Sequence, residues 1–108
     1  MTVRMIVTAS MLALVPIHQT AAQEGPTEAW SLDGFNAPES VVHDAERGEL
    51  YVSNVAGAPN EKNGAGFLSR VSPEGEMLEK EWVSGLDAPK GLALDGGTLY
   101  VSDIDRLV

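Results

Sequence analysis

The chain has 108 residues with seven basic and sixteen acidic side chains, a formal net charge of −9, and no cysteine. Acidity on this scale argues against nucleic acid or an anionic membrane as partner, because both need clustered Lys and Arg. The absence of thiols excludes disulfides, thiolate metal sites, thiol nucleophiles and lipid attachment through an N-terminal Cys.

Residues 1–22 read as a secretory signal peptide. Arg4 supplies the positive start, 5–17 the apolar stretch, and Thr20-Ala21-Ala22 the small residues for cleavage before Gln23. That stretch contains Pro16 and is too short to anchor stably in a bilayer. The competing expectation is an N-terminal core strand or helix. Export to the periplasm or medium is therefore expected, with no membrane contact after cleavage. Residues 23–33 follow as a linker and a strand at 28–33.

Further on, short strands are expected at 40–44, 49–54, 67–72 and 77–83, then at 91–95 and 98–103, with a third begun at 106–108. Arg47-Gly48, Ser72-Pro73-Glu74-Gly75 and Gly96-Gly97 provide the turns between them. The runs 40–44 and 91–95 are largely apolar, as strands buried on both faces are. Trp30 and Trp82 are expected to cover sheet faces, and His43 to be a core histidine with one nitrogen satisfied.

These strands repeat. Gly34-Phe35-Asn36-Ala37-Pro38, Asp44 and Leu50-Tyr51-Val52-Ser53-Asn54 return as Gly85-Leu86-Asp87-Ala88-Pro89, Asp95 and Leu99-Tyr100-Val101-Ser102-Asp103. Aligning 34–44 with 85–95 and 49–55 with 98–104 gives eight identities in eighteen positions. The offset is 51 residues at the prolines and 49 at the tyrosines, so two residues are deleted between the strands. A period near fifty built of short strands predicts an all-β fold of β-propeller blades, each of four antiparallel strands. Residues 34–84 would be the first blade and 85–108 an incomplete second. Strand 28–33 would be the outer strand of a closing blade. About one and a half blades would then form the N-terminal piece of a longer propeller of six blades, with little stability or activity alone.

Antiparallel polarity brings the start of each first strand and the end of each second strand to one end of the sheet. Glu39, Asn54 and the loop 55–66 share that end, as do Lys90 and Asp103 in the next repeat. If first strands line the axis, this end is the rim of a central funnel. Asn54 and Asp103 are candidate ligand-binding residues there; capping the adjacent turn is their other reading. The twelve-residue loop is long for a connection and offers Asn60, Glu61, Lys62 and Asn63 to a polar ligand. Asn60 and Lys62 are its candidate substrate contacts. No P-loop, Gly-x-Ser-x-Gly, His-Glu-x-x-His or EF-hand pattern occurs, and no catalytic nucleophile or base is assigned.

Glu39-Ser40-Val41-Val42-His43-Asp44 followed by Leu50-Tyr51-Val52-Ser53-Asn54 resembles the opening blade of the senescence marker protein/gluconolactonase family of six-bladed propellers. Gly91-Leu92-Ala93-Leu94-Asp95 with Leu99–Asp103 resembles the NHL repeat equally. The resemblance covers residues 34–108. Ser40 and Val41 replace the family's usual Gly-Pro, and His43 stands where an aromatic residue is common. The resemblance implies that Glu39 is the axial carboxylate that binds a divalent cation, usually calcium. Such an ion would polarise a lactone carbonyl and acidify a bound water. The implied activity is hydrolysis of a lactone or sugar-derived ester. The alternative is a non-catalytic NHL-type propeller whose rim binds a protein or glycan.

Overall fold

The computed structural model describes residues 2–7 and 25–108, and every regular element in them is a β-strand. No helix among them is long and apolar enough to cross a membrane. The strands are β1 (Val3–Val7), β2 (Thr27–Leu32), β3 (Pro38–Asp44), β4 (Glu49–Asn54), β5 (Gly66–Val71), β6 (Met77–Leu86), β7 (Pro89–Asp95), β8 (Thr98–Asp103) and β9 (Arg106–Leu107). They form three antiparallel sheets in which each strand pairs with its sequence neighbour: β1-β2, β3-β4-β5-β6 and β7-β8-β9. Short connections leave antiparallel neighbours as the simplest pairing.

The repeat shows directly in the register. Val42 faces Tyr51 across β3-β4, and Ala93 faces Tyr100 across β7-β8. The two-residue deletion lies wholly in the hairpin between these strands. Asp44 pairs with Glu49 over a turn closed by Gly48, which has φ 65° and donates its N–H to the Asp44 carbonyl at 2.8 Å. Asp95 pairs with Thr98, so only Gly96 and Gly97 remain, at φ 55° and 82°. Positive φ at both central residues defines the tight type I′ turn, which suits the strand twist and which glycine adopts without strain.

Packing is where the structure departs from expectation. The first strands β3 and β7 are not buried on both faces; their burial alternates residue by residue. Burial on both faces belongs instead to β4 and β5, in the middle of the four-stranded sheet. One face of that sheet buries Phe35, Leu50, Val52 and Val71 under Val3, Trp30, Leu32 and Met77. The other face buries Leu68 and Leu86 with Val101 of β8, flanked by Val83, Leu92 and Leu99. The β7-β8-β9 sheet therefore covers one side of β4 and β5, and the β1-β2 hairpin covers the other.

Val41, on β3, borders the same groove as Val3 of the hairpin and is still 51% exposed. His43, two residues further along the same strand face, is exposed too and is not a core residue. Trp30 does cover a sheet face: its ring lies against Gly75, and its Nε1 donates to the Pro73 carbonyl at 2.8 Å. Within the segment read as a leader, residues 3–7 form β1 and pair with β2. Its cleavage site at 20–22 lies outside the described residues.

Candidate functional site

At the end of the sheet where β3 starts and β4 stops, one device appears in both repeats. Asn54 is completely buried, and its Oδ1 accepts the Asn36 N–H at 3.0 Å. Its Nδ2 donates to the Val52 carbonyl at 3.2 Å, the Phe67 carbonyl at 3.4 Å and Ser69 Oγ at 3.0 Å. Asp103, the repeat counterpart, is equally buried. Its carboxylate accepts the N–H groups of Asp87 (3.0 Å) and Ala88 (2.7 Å) and the Arg106 guanidinium (2.8 Å). Each side chain ties the Gly-x-x-Ala-Pro turn to the end of the second strand. Neither presents a free polar atom to a ligand, and turn capping is the role their contacts describe.

The choice of Asn in one repeat and Asp in the other follows from the neighbouring strand. Asn54 stands opposite Phe67, and its Nδ2 meets only acceptors: the Phe67 carbonyl and Ser69 hydroxyl of β5 and the Val52 carbonyl of its own strand. Only an amide can donate to these. Asp103 stands opposite Arg106, a donor, and there a carboxylate is the better partner. Burial pushes the Asp103 carboxyl up, but the Asp87 N–H, the Arg106 guanidinium and the Ala88 N–H outweigh it, leaving a net fall below the ordinary carboxylate range.

The loop at 55–65 crosses from the first repeat to the second. Its base is fixed by Val55 N–H to the Ala37 carbonyl (3.0 Å) and Ala56 N–H to the Asn36 carbonyl (3.1 Å). Gly64 N–H then reaches Asp87 Oδ1 at 3.0 Å, and Lys62 pairs with Asp105. Lys90 donates to the Pro59 carbonyl in the same loop. The Lys62 amine is held above its ordinary value by the hydrogen bond to Asp105. Lys62 is thus partnered, while Asn60 is exposed in the loop's turn. Ion pairs this exposed contribute little energy, so the loop works as a strap of several weak contacts.

Glu39 differs from all of these. It is exposed at the start of β3 and makes no hydrogen bond or ion pair among the described residues. Lys90, its repeat equivalent, bonds to the Pro59 and Ala88 carbonyls and does not pair with it. Glu39 borders a shallow groove of about 180 Å³ with Val3, Pro38, Ser40, Val41 and Val52. The structure brings Asn54 to the Gly-x-x-Ala-Pro turn and Asp103 to its counterpart, but it does not assemble the candidate residues around one cavity.

A larger cleft, about 300 Å³, opens at the other end of the sheets, between the two repeats. Arg70 lies over the Trp82 ring at 5.8 Å, and Trp82 stacks on Tyr51 with centroids 5.0 Å apart and planes at 19°. Glu49 pairs with Arg70, whose Nη1 also reaches Glu79 Oε1 at 3.3 Å. The Arg70 hydrogen bond holds the Glu49 carboxyl below its ordinary value. Burial, with the hydrogen bond to Asp44, pushes the Tyr51 phenol up. Leu94, Gly97 and Leu99 of the second repeat form the far wall. Both charges of Arg70 and Glu49 are spent on each other, so the cleft is a packed seam between repeats. Sequence reading passed over it, although alternation in β4 and β5 already places Glu49, Tyr51 and Arg70 on one face.

Comparison with family models, with curated proteins and with solved structures gives no match to this chain.

Proposed function

We propose that the two repeats are consecutive blades of a six-bladed β-propeller in an exported hydrolase of gluconolactonase type, acting on a lactone or sugar-derived ester with a divalent cation, calcium by preference. The observation that carries this reading is the uncommitted carboxylate of Glu39 at the start of β3. Every other polar residue the repeat places at that position or at the strand's partner end (Lys90, Asn54, Asp103) is engaged inside the chain.

This chain's donors do not make a calcium site by themselves. Among the described residues no group of three or more His, Asp or Glu side chains could hold a metal, whereas calcium takes six to eight oxygens. Glu39 would be one ligand among several, the rest coming from other blades. Lactone hydrolysis followed by proton release tests the reading. The expected result is activity abolished by a chelator, restored by calcium, and lowered more than about tenfold in Glu39→Gln. Hydrolysis indifferent to both treatments would exclude the metal mechanism.

One observation favours the binding-module reading instead. Asn54 and Asp103, which a polar substrate funnel would use, are sealed in backbone hydrogen bonds. Absence of hydrolysis across lactones and sugar esters, with saturable glycan or protein binding, would select that alternative.

A further inference from the structure

In the loop between the repeats, Asn63 is followed by Gly64, whereas Asn36, Asn54 and Asn60 are followed by Ala37, Val55 and Glu61. The pairing matters chemically. The backbone nitrogen after an asparagine can attack that residue's own side-chain amide carbon and close a succinimide ring. Covalent connection keeps the two atoms close in every rotamer, and a glycine has no Cβ to shield its nitrogen. Nothing lies within 4 Å of the place a Gly64 Cβ would take, and residues 60–65 are exposed to water.

The fold adds a partner to each reacting group. Gly64 N–H, the nucleophile, donates to Asp87 Oδ1 at 3.0 Å. A carboxylate at that atom is placed to take the proton as the nitrogen attacks. Asn63 Oδ1, on the carbon under attack, accepts the Ala65 N–H at 2.9 Å. This donor meets the oxygen on which negative charge develops in the tetrahedral intermediate. The nitrogen that would depart, Asn63 Nδ2, lies against Gly57, where an added Cβ would come within 2.6 Å of it.

Asp87 is itself held in position. Its N–H donates to the buried Asp103 carboxylate at 3.0 Å, and its second carboxylate oxygen lies 3.9 Å from the Arg106 guanidinium. The Lys62–Asp105 pair and the bond from Lys90 to the Pro59 carbonyl keep the loop on the second repeat. Base and nucleophile therefore come from different repeats and are brought together only by the folded chain.

We propose that Asn63 is a self-modification site, at which Asp87 acts as general base for conversion of Asn63-Gly64 to a succinimide and then to aspartate or isoaspartate. The Gly64 nitrogen forms a bond to Asn63 Cγ while Asp87 takes its proton. The Cγ–Nδ2 bond then breaks, and solvent water carries the proton to the departing nitrogen, which leaves as ammonia. A second water adds to one ring carbonyl and opens the ring, leaving an acid at position 63. The ring has no Gly64 N–H, so the bond to Asp87 is lost, and isoaspartate adds a backbone carbon to the loop. The strap between the repeats is altered once and irreversibly. None of this uses the proposed hydrolysis of lactones, and the two are measured separately.

Peptide mapping by mass spectrometry of the full chain, aged in neutral buffer, tests it. Loss of ammonia, then the mass gain of an amide turned to an acid, is expected at Asn63 and not at Asn36, Asn54 or Asn60. Conversion should be faster in the native chain than in the same chain in urea, where base and donor are dispersed. Asp87→Asn keeps an oxygen to accept the Gly64 N–H but supplies no base, and should slow native conversion more than about tenfold. The native-to-urea comparison needs no variant and decides the matter if Asp87→Asn proves unfolded by circular dichroism. A native rate equal to or below the rate in urea overturns the proposal, because the same contacts would then protect the amide. So does a folded Asp87→Asn chain that converts as fast as the wild type or faster.

Discussion

Replacing Asn54 by Asp changes almost no volume, yet it should be among the most damaging substitutions in the first repeat. Asn54 donates through Nδ2 to two carbonyls and a serine hydroxyl in a site with no solvent exposure. A carboxylate there offers oxygen to oxygen. Burial and the facing carbonyls would raise its pKa by about three units, the low end for fully buried carboxyls, which corresponds to about 4 kcal/mol at neutral pH. The sign of the pH dependence is fixed by linkage. With the folded pKa above the unfolded value of about 3.9, the folded state holds a proton that the unfolded state has released. Stability therefore falls as pH rises through that window and levels off above the raised pKa. Urea unfolding followed by tryptophan fluorescence at pH 4 and pH 7 should show a small loss at the lower pH and the full loss at the higher. An equal loss at both pH values, or one below about 1 kcal/mol at pH 7, would refute the assignment of Asn54 as an obligate donor.

Asp103→Asn should cost about 1.5–3 kcal/mol at neutral pH, because the Arg106 bonds lose their charge assistance. The Asp103 carboxyl is depressed in the folded chain, so its contribution is present above the unfolded pKa and lost as pH falls through the folded one. Acid titration of wild type against Asp103→Asn should therefore show the two stabilities converging at low pH. Gly66→Ala should destabilise by about 1–3 kcal/mol in thermal unfolding, since an added Cβ would come within 2.3 Å of Pro89 Cδ and 2.8 Å of the Asp87 carbonyl oxygen. Ala56→Gly should raise the melting temperature, relieving a left-handed backbone at φ 56° that costs an L-residue roughly 1 kcal/mol.

The strands from β2 onward and their turns were legible in the chain because each carries its own local signal, whereas β1 falls in the segment read as a leader. The stretches expected at 49–54 and 98–103 are β4 and β8 to the residue, and both end where Asn or Asp meets a turn. Alternation, β-branched residues and Gly-containing turns act over a few residues, so they survive without tertiary context. The repeat went further and fixed the equivalence of Ser53 with Ser102 and of Lys90 with Glu39 before any coordinate was known. What no local signal carries is which face of a strand meets another sheet. The apolar run of β3 reads as buried on both sides, but only β4 and β5 have a covering layer on each side. Asn54 and Asp103 look like rim residues for the same reason: their partners at Asn36, Ser69, Asp87 and Arg106 are distant in sequence or on other strands. Burial is a property of what is stacked on a surface, and that depends on how sheets pack rather than on the residues of one strand.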